Sequence, residues 1–459
     1  GNRELHMGEL IISTSGVRGI VGQTLAPETA LGMAAAFAEV APEGEILVAS
    51  DGRTSGDSLR AACLAALSAK GRTAVDLGVA TTPTTEMAVI LRKSAGAIIV
   101  TASHNPVEWN GLKFLDQEGV FLRQGQLDRL VSIWKRSVPE WKRWEFVQPV
   151  LNWDGAADAH VERILALDVV NAEACRQARL PVVLDTICAS GGRIAPKLLR
   201  ALGSPFVHVN AEITGKFTRK PEPVPENIQD VGEAVRANHA ALGMVLDPDG
   251  DRLALLDETG KPIGEEYTLA LSIYAVRRRA RTRAPVVVNA STSRMVDDVG
   301  AMFGFPVLRT AVGEINVVEG MMKHGADLGG EGNGGVIYGG LHYGRDGLLG
   351  MAIILSLLAE EKCRLSDLVG KLPRYVISKQ TATVPPEKRA GVLHRVRSLA
   401  AEMGAELDTC DGVKLVWADR WLHVRPSNTE PIIRIFAEAP TEQDARELCA
   451  RAQEIAARE

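Results

Sequence analysis

A serine in the first quarter of the chain stands where a nucleophile or a phosphoryl carrier could be built. Residues 101–106 read Thr-Ala-Ser-His-Asn-Pro and follow the apolar run 97–100, which predicts a short buried strand that ends in a turn. Ser103 is therefore expected on a loop at the end of a strand, where catalytic residues are common. Its hydroxyl needs activation, and His104 and Lys113 lie close enough in sequence to supply it. Alone, the pattern fits a serine that only satisfies the hydrogen bonds of a turn at least as well.

A second segment concentrates carboxylates directly after a predicted strand. Residues 247–252 read Asp-Pro-Asp-Gly-Asp-Arg, so Asp247, Asp249 and Asp251 alternate along a tight loop. Converging carboxylates repel one another unless they share a cation, and ligand sets made only of oxygen favour Mg²⁺ or Ca²⁺ over Zn²⁺. An EF-hand is disfavoured because Arg252 takes the place of a required glycine. An aspartyl nucleophile of the haloacid-dehalogenase type fits in part, and a solvated acidic turn is the remaining alternative.

Two further segments offer groups that could bind a small polar ligand. Residues 330–335 read Gly-Glu-Gly-Asn-Gly-Gly and precede a predicted strand rather than a helix, which argues against a dinucleotide fingerprint. Glu331 and Asn333 could bond sugar hydroxyls, or the segment could be a plain hairpin turn. Residues 425–431 read Arg-Pro-Ser-Asn-Thr-Glu-Pro between two predicted strands, which suits a phosphate-binding loop or a polar turn. The candidate phosphate-binding residues are Arg425, Ser427, Asn428 and Thr429.

The composition limits the class of protein. The chain has 459 residues, too many for one core, so about three or four domains are expected. The formal net charge of -5 and the lack of a basic stretch argue against nucleic acid as a partner, and the apolar runs are too short to span a membrane. Six widely spaced cysteines favour reduced thiols in a cytoplasmic protein. Residues 1–6 resemble an expression remnant before Met7, and no signal peptide is visible.

The order of helical and β-branched segments predicts an α/β fold. Three rounds of alternating helices and strands indicate three related α/β domains with mixed, mainly parallel sheets. After residue 372 the strands cluster with two helices, which predicts an α+β domain with an antiparallel sheet. Residues 14–19 are interpreted as a small loop that carries Arg18. The expected domains are 7–160, 161–257, 258–371 and 372–459, packed around a central cleft over which the small last domain should hinge.

The four segments occur in the order that is typical of the α-D-phosphohexomutase family, which the chain resembles from Met7 onward. The family includes phosphoglucomutases, phosphomannomutases and phosphoglucosamine mutases. The serine and aspartate segments are highly specific for it, and the segment 330–335 is much less so. The resemblance implies an isomerase, an intramolecular phosphotransferase that interconverts a hexose 6-phosphate and a hexose 1-phosphate. It implies a phosphoserine enzyme and a hexose 1,6-bisphosphate intermediate.

The resemblance also implies roles for individual residues. Ser103 would carry the phosphoryl group, and one Mg²⁺ would be bound by that serine together with Asp247, Asp249 and Asp251. The side chains around the transfer would be Arg18, His104, Lys113 and Arg252. Lys113 is favoured as the general acid/base, with its pKa lowered by Arg18 or other cations, and His104 is the second candidate. Sugar hydroxyls would contact Glu331 and Asn333, and the second phosphate would contact Arg425, Ser427, Asn428 and Thr429.

The residues that would recognise the sugar depart from the family pattern. The sugar loop of the family commonly reads Gly-Glu-x-Ser-Gly-His, whereas here Asn333 replaces the serine and Gly335 the histidine. Residues 312–316 lack a basic residue that many relatives have, and Ser13 replaces a common glycine. The loop resembles those of a bacterial group of phosphoglucosamine mutases. Glucosamine phosphate is therefore the favoured substrate, and mannose and glucose phosphates are the alternatives.

Two other functions remain open at this point. A metal-dependent sugar phosphatase with Asp247 as its nucleophile would release free phosphate and tolerate the loss of Ser103. A non-catalytic sensor would bind sugar phosphates without turnover. The expected partner is a small sugar phosphate, with no nucleic acid and no membrane, and the protein is expected to be a monomer or a homodimer.

Overall fold

The N-terminal part of the chain forms a mixed sheet of seven strands. The computed structural model describes residues 10–136, 138–427 and 432–458. The strands are β1 (Ile11–Ser13), β2 (Gly16–Ile20), β3 (Ile46–Ser50), β4 (Ala74–Val79), β5 (Gly96–Val100), β6 (Trp109–Leu115) and β7 (Val150–Asn152). The helices are α1 (Pro27–Val40), α2 (Gly56–Ala69), α3 (Thr82–Arg92) and α4 (Gln124–Arg136). The strand order is β1-β2-β6-β5-β3-β4-β7, in which β3, β4, β5 and β7 run parallel.

The prediction of a loop at residues 14–19 is correct only for residues 14 and 15, which form the turn of a hairpin, and is wrong for residues 16–19. In the structure β1 and β2 form an antiparallel hairpin, and Arg18 lies on β2. Strand β2 also pairs antiparallel with β6, with Arg18 opposite Gly111. Small residues favour a loop, but Gly16 and Gly111 instead allow β2 and β6 to approach closely.

Two four-stranded sheets follow in the middle of the chain. The first contains β8 (Val182–Asp185), β9 (Phe206–Val209), β10 (Leu242–Leu246) and β11 (Leu253–Leu256) in the order β11-β10-β8-β9. The second contains β12 (Val286–Asn289), β13 (Val307–Thr310), β14 (Leu328–Glu331) and β15 (Gly335–Tyr338) in the order β13-β12-β14-β15. Their helices are α5 (Ala156–Leu165), α6 (Ala172–Ala178), α7 (Gly191–Ala201), α8 (Gln229–Ala237), α9 (Glu265–Arg279), α10 (Met295–Phe303), α11 (Glu314–His324), α12 (Gly347–Glu361) and α13 (Leu365–Gly370).

The last sheet is antiparallel throughout, as predicted. Its strands are β16 (Val376–Thr383), β17 (Glu406–Asp408), β18 (Val413–Val416), β19 (Trp421–Pro426) and β20 (Ile432–Ala439), and its helices are α14 (Pro386–Met403) and α15 (Glu442–Arg458). The order is β16-β20-β19-β18-β17. The fold class is therefore confirmed: three α/β units with mixed sheets precede one α+β unit. The domain limits given above stay predictions.

The same connection carries a candidate segment in each of the three α/β units. A parallel strand in the sheet interior ends, the chain turns, and it returns as an antiparallel neighbour: β5 to β6, β10 to β11 and β14 to β15. The serine segment lies in the first turn, the aspartate segment in the second, and residues 332–334 in the third. The three predicted segments thus lie at the carboxyl ends of these strands, which is where ligands bind in open α/β sheets.

The buried apolar side chains join the first three units but not the fourth. One cluster contains residues of the second and third sheets, for example Leu246, Val288 and Leu348. Another contains Ile99 of the first sheet and Ile315 of α11. The last unit has its own cluster between residues 384 and 452. Among the described residues, no helix combines the length and the apolar character needed to cross a bilayer.

Candidate active site

The three aspartates of the second segment form a buried cage. Asp247, Asp249 and Asp251 are fully buried, and one potential ligand oxygen of each lies within 4.8 Å of those of the others. Asp247 Oδ2, Asp249 Oδ1 and Asp251 Oδ1 have no hydrogen-bond partner among the described residues. Burial, and then the charges of Asp251 and Asp249, raise the pKa of Asp247 well above its usual value. Three orphaned buried oxygens fit a hard divalent cation such as Mg²⁺.

The other oxygen of each aspartate is held by a donor. Asp249 Oδ2 accepts hydrogen bonds from Lys113 Nζ and from Thr82 Oγ1, both at 2.6 Å. Asp251 Oδ2 accepts from Arg345 Nη2 at 2.9 Å. Asp247 Oδ1 accepts from the backbone N–H of residue 252 at 3.1 Å. These donors leave one oxygen of each carboxylate for a shared cation.

Ser103 is almost completely buried and has a left-handed backbone. Its φ is +53°, its N–H donates to Thr101 Oγ1 at 2.9 Å, and its Oγ lies 3.5 Å from His104 Nδ1. The buried guanidinium of Arg53 donates to the carbonyls of residues 103 and 105, at 2.7 and 2.9 Å, and pairs with Asp51 at 3.0 Å. A buried ion pair therefore fixes the serine turn in a conformation that is uncommon for a serine.

The predicted cations converge on the same region. Lys113 lies on β6, two residues after Gly111, which is opposite Arg18 on β2. Arg18 Nη1 donates to Asn105 Oδ1 in the serine turn at 2.9 Å, and burial lowers the pKa of this arginine to about 10. Burial, and then the charges of Arg252 and Arg18, lower the pKa of His104 well below its usual value. The serine turn and the aspartate cage are therefore parts of one site. They are joined by strand β6, whose Gly111 carbonyl accepts from the N–H of Thr101 at 3.0 Å and whose Lys113 contacts Asp249.

The prediction of a lowered pKa for Lys113 is wrong. Burial and the Arg18 charge do lower it, but the carboxylates of Asp249 and Asp251, at 2.6 and 3.5 Å, raise it more, and the net pKa is above the usual value. The prediction considered the charge of Arg18, whereas the fold also brings two aspartates into direct contact with the lysine.

The third segment supplies a prearranged carboxylate. Glu331 is buried, and its Oε1 accepts from Asn289 Nδ2 at 2.9 Å and from the N–H of Gly313 at 3.0 Å. Its Oε2 lies 3.4 Å from Arg345, which also donates to Asn333 Oδ1 at 3.1 Å. Residues 332–334 form a hairpin turn between β14 and β15. A hairpin turn and a sugar-binding segment are therefore compatible interpretations of these residues.

The fourth segment reaches the site through one aspartate. Arg425 lies on β19, and its Nε is 3.2 Å from Asp411 Oδ2. The same oxygen accepts from the N–H of Val312 at 3.0 Å, next to the Gly313 that contacts Glu331. Ser427 is buried, and its N–H donates to the carbonyl of residue 432. The predicted residues Asn428 and Thr429 lie outside the described residues.

Two arginines with many contacts at the site were missed from the sequence. Arg53 follows the strand β3 in the order Asp-Gly-Arg, and a polar residue directly after a buried strand was the available signal. Arg345 precedes the N-cap of α12, Asp346, and it contacts Asp251 from 94 positions away. No local sequence pattern predicts the contact between Arg345 and Asp251, because only the packing of the second and third sheets brings these two residues together.

Comparison with known proteins agrees with this geometry. Four family models match successive parts of the chain: phosphoglucomutase/phosphomannomutase alpha/beta/alpha domain I at residues 9–138, domain II at 158–260, domain III at 264–375 and the C-terminal domain at 385–455. A probable phosphoglucosamine mutase of Methanopyrus kandleri is 38% identical over 95% of each chain. A phosphoglucomutase/phosphomannomutase of Thermococcus kodakarensis is 36% identical over 96% of this chain and 97% of the relative.

The fold comparison gives the same result. The crystal structure of a phosphoglucomutase/phosphomannomutase family protein from Burkholderia thailandensis superposes with a TM-score of 0.84 at 28% identity, and covers 97% of this chain and 98% of the other. The four segments, the buried site that three of them form and these matches agree. The chain therefore belongs to the phosphoglucomutase/phosphomannomutase family and is a phosphohexomutase.

Proposed function

We propose that this phosphohexomutase converts glucosamine 6-phosphate and glucosamine 1-phosphate into each other, with Ser103 as the phosphoryl carrier. The observation that supports the carrier role is the buried serine turn, which strand β6 joins through Gly111 and Lys113 to a cage of three aspartates with unused oxygens. The choice of sugar is supported by the Methanopyrus kandleri relative, which is described as a probable phosphoglucosamine mutase. Mannose and glucose phosphates are the alternative substrates, because the Thermococcus kodakarensis relative is described as a phosphoglucomutase/phosphomannomutase.

The proposed reaction consists of two successive phosphoryl transfers. In the first, the P–O bond to Ser103 Oγ breaks while the free hydroxyl oxygen of the substrate bonds to phosphorus, which gives a hexose 1,6-bisphosphate. The bisphosphate then reorients, and Ser103 Oγ takes the other phosphoryl group. Arg18, Lys113 and Arg252 offset negative charge during each transfer, which is the main requirement of phosphoryl-transfer catalysis. The proton moves between the reacting hydroxyls with Lys113 and His104 as the candidate carriers, because His104 lies beside Ser103 Oγ and Lys113 lies on the strand that borders the serine turn and contacts the aspartate cage.

Mg²⁺ would be held by the free oxygens of Asp247, Asp249 and Asp251 together with the phosphate on Ser103. When bound, it supplies charge neutralisation on the transferred phosphoryl group. Glu331 and Asn333 are proposed to bond the sugar hydroxyls. The phosphate that is not being transferred would be bound by Arg425, Ser427, Asn428 and Thr429. We place the enzyme in the cytoplasm, as a monomer or a homodimer that uses a small sugar phosphate.

Replacing Ser103 by alanine tests the carrier role. The variant should lose all turnover, and intact mass should show a fraction of the wild-type protein about 80 Da heavier, the mass of one phosphoryl group, that the variant lacks. A fully active Ser103→Ala variant would overturn the proposal. If that variant released free phosphate from hexose phosphates, a phosphatase with Asp247 as its nucleophile would replace it.

A comparison of three substrates on one preparation tests the sugar. Glucosamine, mannose and glucose 6-phosphates are each assayed for conversion to the 1-phosphate under the same conditions. We expect the highest kcat/KM with glucosamine 6-phosphate. A higher value with either of the others would transfer the proposal to that sugar and leave the carrier role intact.

A further inference from the structure

Arg345 makes several contacts within the candidate site, but the proposed function gives this residue no role. It is 6% exposed and lies between β15 and α12. Its Nη2 donates to Asp251 of the metal cage at 2.9 Å, and its Nη1 donates to Asn333 of the sugar loop at 3.1 Å. Its Nε and its backbone N–H both donate to Glu314 Oε1, each at 2.9 Å. One planar guanidinium thus joins three segments of the chain.

The contacts require an arginine rather than any cation. Three carboxylates surround the guanidinium, those of Asp251, Glu314 and Glu331, within 2.9 to 3.4 Å. An ammonium group is a compact point charge, whereas the guanidinium has donors directed along several fixed lines. A lysine at position 345 could therefore keep the charge, but it could not bond Asp251, Asn333 and Glu314 at the same time.

Gly335 leaves the space that the Arg345 side chain fills. A Cβ at position 335 would lie 2.2 Å from Arg345 Cδ and 2.7 Å from its Cγ. This glycine starts β15 and is not among those with a left-handed backbone, so the conformation of its backbone does not require glycine. The requirement comes from the stem of the arginine. Gly335, which stands where the family commonly has a histidine, therefore leaves the space that the Arg345 side chain occupies.

We infer that Arg345 is a positioning residue that holds the sugar loop in register with the aspartate cage, and that Gly335 is needed to admit it. Because Asn333 Oδ1 accepts from the guanidinium, the amide nitrogen of this residue is left to donate to a ligand. The Arg345 contact thus decides which hydrogen-bonding group Asn333 presents to the sugar. The inference rests on the proposed function, since it names the residue that arranges the same site.

Binding to the metal-free protein separates this role from that of the metal. Glucosamine 6-phosphate and glycerol 3-phosphate, which lacks the sugar, are titrated into wild type and variants in the presence of EDTA. In Arg345→Lys and Gly335→Ala we expect the preference for the hexose phosphate to fall about tenfold, or about 1.4 kcal/mol. Binding of glycerol 3-phosphate should be unchanged. The kcat/KM should fall about 100-fold, the loss that a misplacement of about 1 Å produces.

Gly125→Ala is the matched control, because a Cβ there has no atom within 4 Å and the residue lies on α4. It should retain the wild-type preference and kcat/KM. A second variant series keeps the test valid if a single variant misfolds. When Arg345 is already replaced by alanine, adding Gly335→Ala should have no further effect on the preference for glucosamine 6-phosphate over glycerol 3-phosphate. A further loss in the double variant would overturn the link between Gly335 and Arg345.

The outcomes distinguish this inference from the proposed function. If wild type turns over no hexose phosphate but the binding preference falls in the two variants, the proposed function fails and the positioning role stands. If wild type is an active mutase and Arg345→Lys and Gly335→Ala keep both the preference and kcat/KM, the positioning role is wrong and the function stands.

Discussion

The first three units are joined to one another by buried ion pairs, whereas the described contacts of the fourth unit mainly pair a side chain with a backbone group. In the first case His342 lies between Glu86 of α3 and Asp346 at the start of α12, at 3.1 and 2.9 Å. Asp346 also accepts from His160 of α5 at 2.7 Å, and His160 contacts Thr84 at 2.9 Å. Every ring nitrogen has a hydrogen-bond partner, so this cluster is a structural network rather than a metal site.

The contacts of the fourth unit are of a different kind. Lys414 donates to the backbone carbonyl of Ala290 at 2.6 Å, and His423 contacts Ser291 at 3.1 Å. Burial, and then the Arg309 charge, lower the pKa of Lys414 to about 7, and burial lowers the pKa of His423 to about 4. The ion pair from Lys379 to Glu265, at 3.1 Å, is partly exposed.

This difference indicates which parts of the molecule can move. A buried ion pair that is broken leaves uncompensated charge, whereas a bond between a side chain and a backbone group is replaced by bonds to water when the interface opens. The fourth unit also has a separate apolar core. The first three units are therefore expected to behave as one body and the fourth as a movable one.

Removal of the central cation of the network should have the largest effect. His342→Leu leaves the carboxylates of Glu86 and Asp346 without this donor, at a cost of about 3–5 kcal/mol. The loss should appear as reduced hydrogen-exchange protection of α12 and a lower urea midpoint. Lys414→Met is the matched control at the other interface. It replaces a buried amine by an apolar chain and should change stability by about 1 kcal/mol or less. Equal effects of the two variants would contradict the comparison.

The two interfaces should respond to pH in opposite directions. Burial lowers the pKa of His342, but its hydrogen bonds to Asp346 and Glu86 raise it more, to about 10. The folded network therefore holds more protons than the unfolded chain above pH 6.5, and its stabilisation is lost as the pH rises towards 10. Lys414 holds fewer protons when docked, so docking of the fourth unit should strengthen from pH 7 upwards.

Hydrogen exchange of α12 and of β18, corrected for the intrinsic pH dependence, measures both responses in one experiment. Protection of α12 should fall between pH 7 and 10, and protection of β18 should rise. Lys414→Met should abolish the rise in β18 without altering the trend in α12. A fall in both regions would show that the fourth unit is not docked through a neutral lysine.

The smallest effect expected is a change in overall shape. If the fourth unit moves, a hexose 1,6-bisphosphate should reduce the radius of gyration, because Arg425 would exchange Asp411 for a phosphate and close over the ligand. Small-angle scattering with and without the bisphosphate measures this change. Identical profiles at good precision would mean that the fourth unit is held as firmly as the first three units are held to one another.

The sequence predicted most of the buried strands and the segments at their ends. Strands β5 and β10 are short apolar runs followed by turn residues, and such runs are a reliable signal. Of the three strands that return from the turns, β15 was predicted from its apolar residues, but β6 and β11 were not. Strand β6, Trp109–Leu115, contains Asn110, Gly111 and Lys113, which are polar or small. They are nevertheless buried: Asn110 donates to Ser55 and Lys113 to Asp249 of the site. A functional strand thus loses the pattern by which strands are recognised.

The site was predicted where its residues are close in sequence and missed where they are not. The three aspartates lie within five positions, so their convergence follows from the loop. Two features depend on how separate sheets pack: the contact between Arg345 and Asp251, and the approach of Asp249 and Asp251 to Lys113 that raises the pKa of the lysine. Neither periodicity nor turn chemistry contains that information.

The backbone of Ser103 restricts the amino acid that can serve there. A φ of +53° is tolerated by serine at some cost, but it is a genuine outlier for a β-branched residue. Threonine has the same reactive group, yet its extra methyl would force either the turn or the Arg53 contacts to change. If Ser103 carries the phosphoryl group as proposed, the backbone of this turn therefore selects a serine and not merely an alcohol.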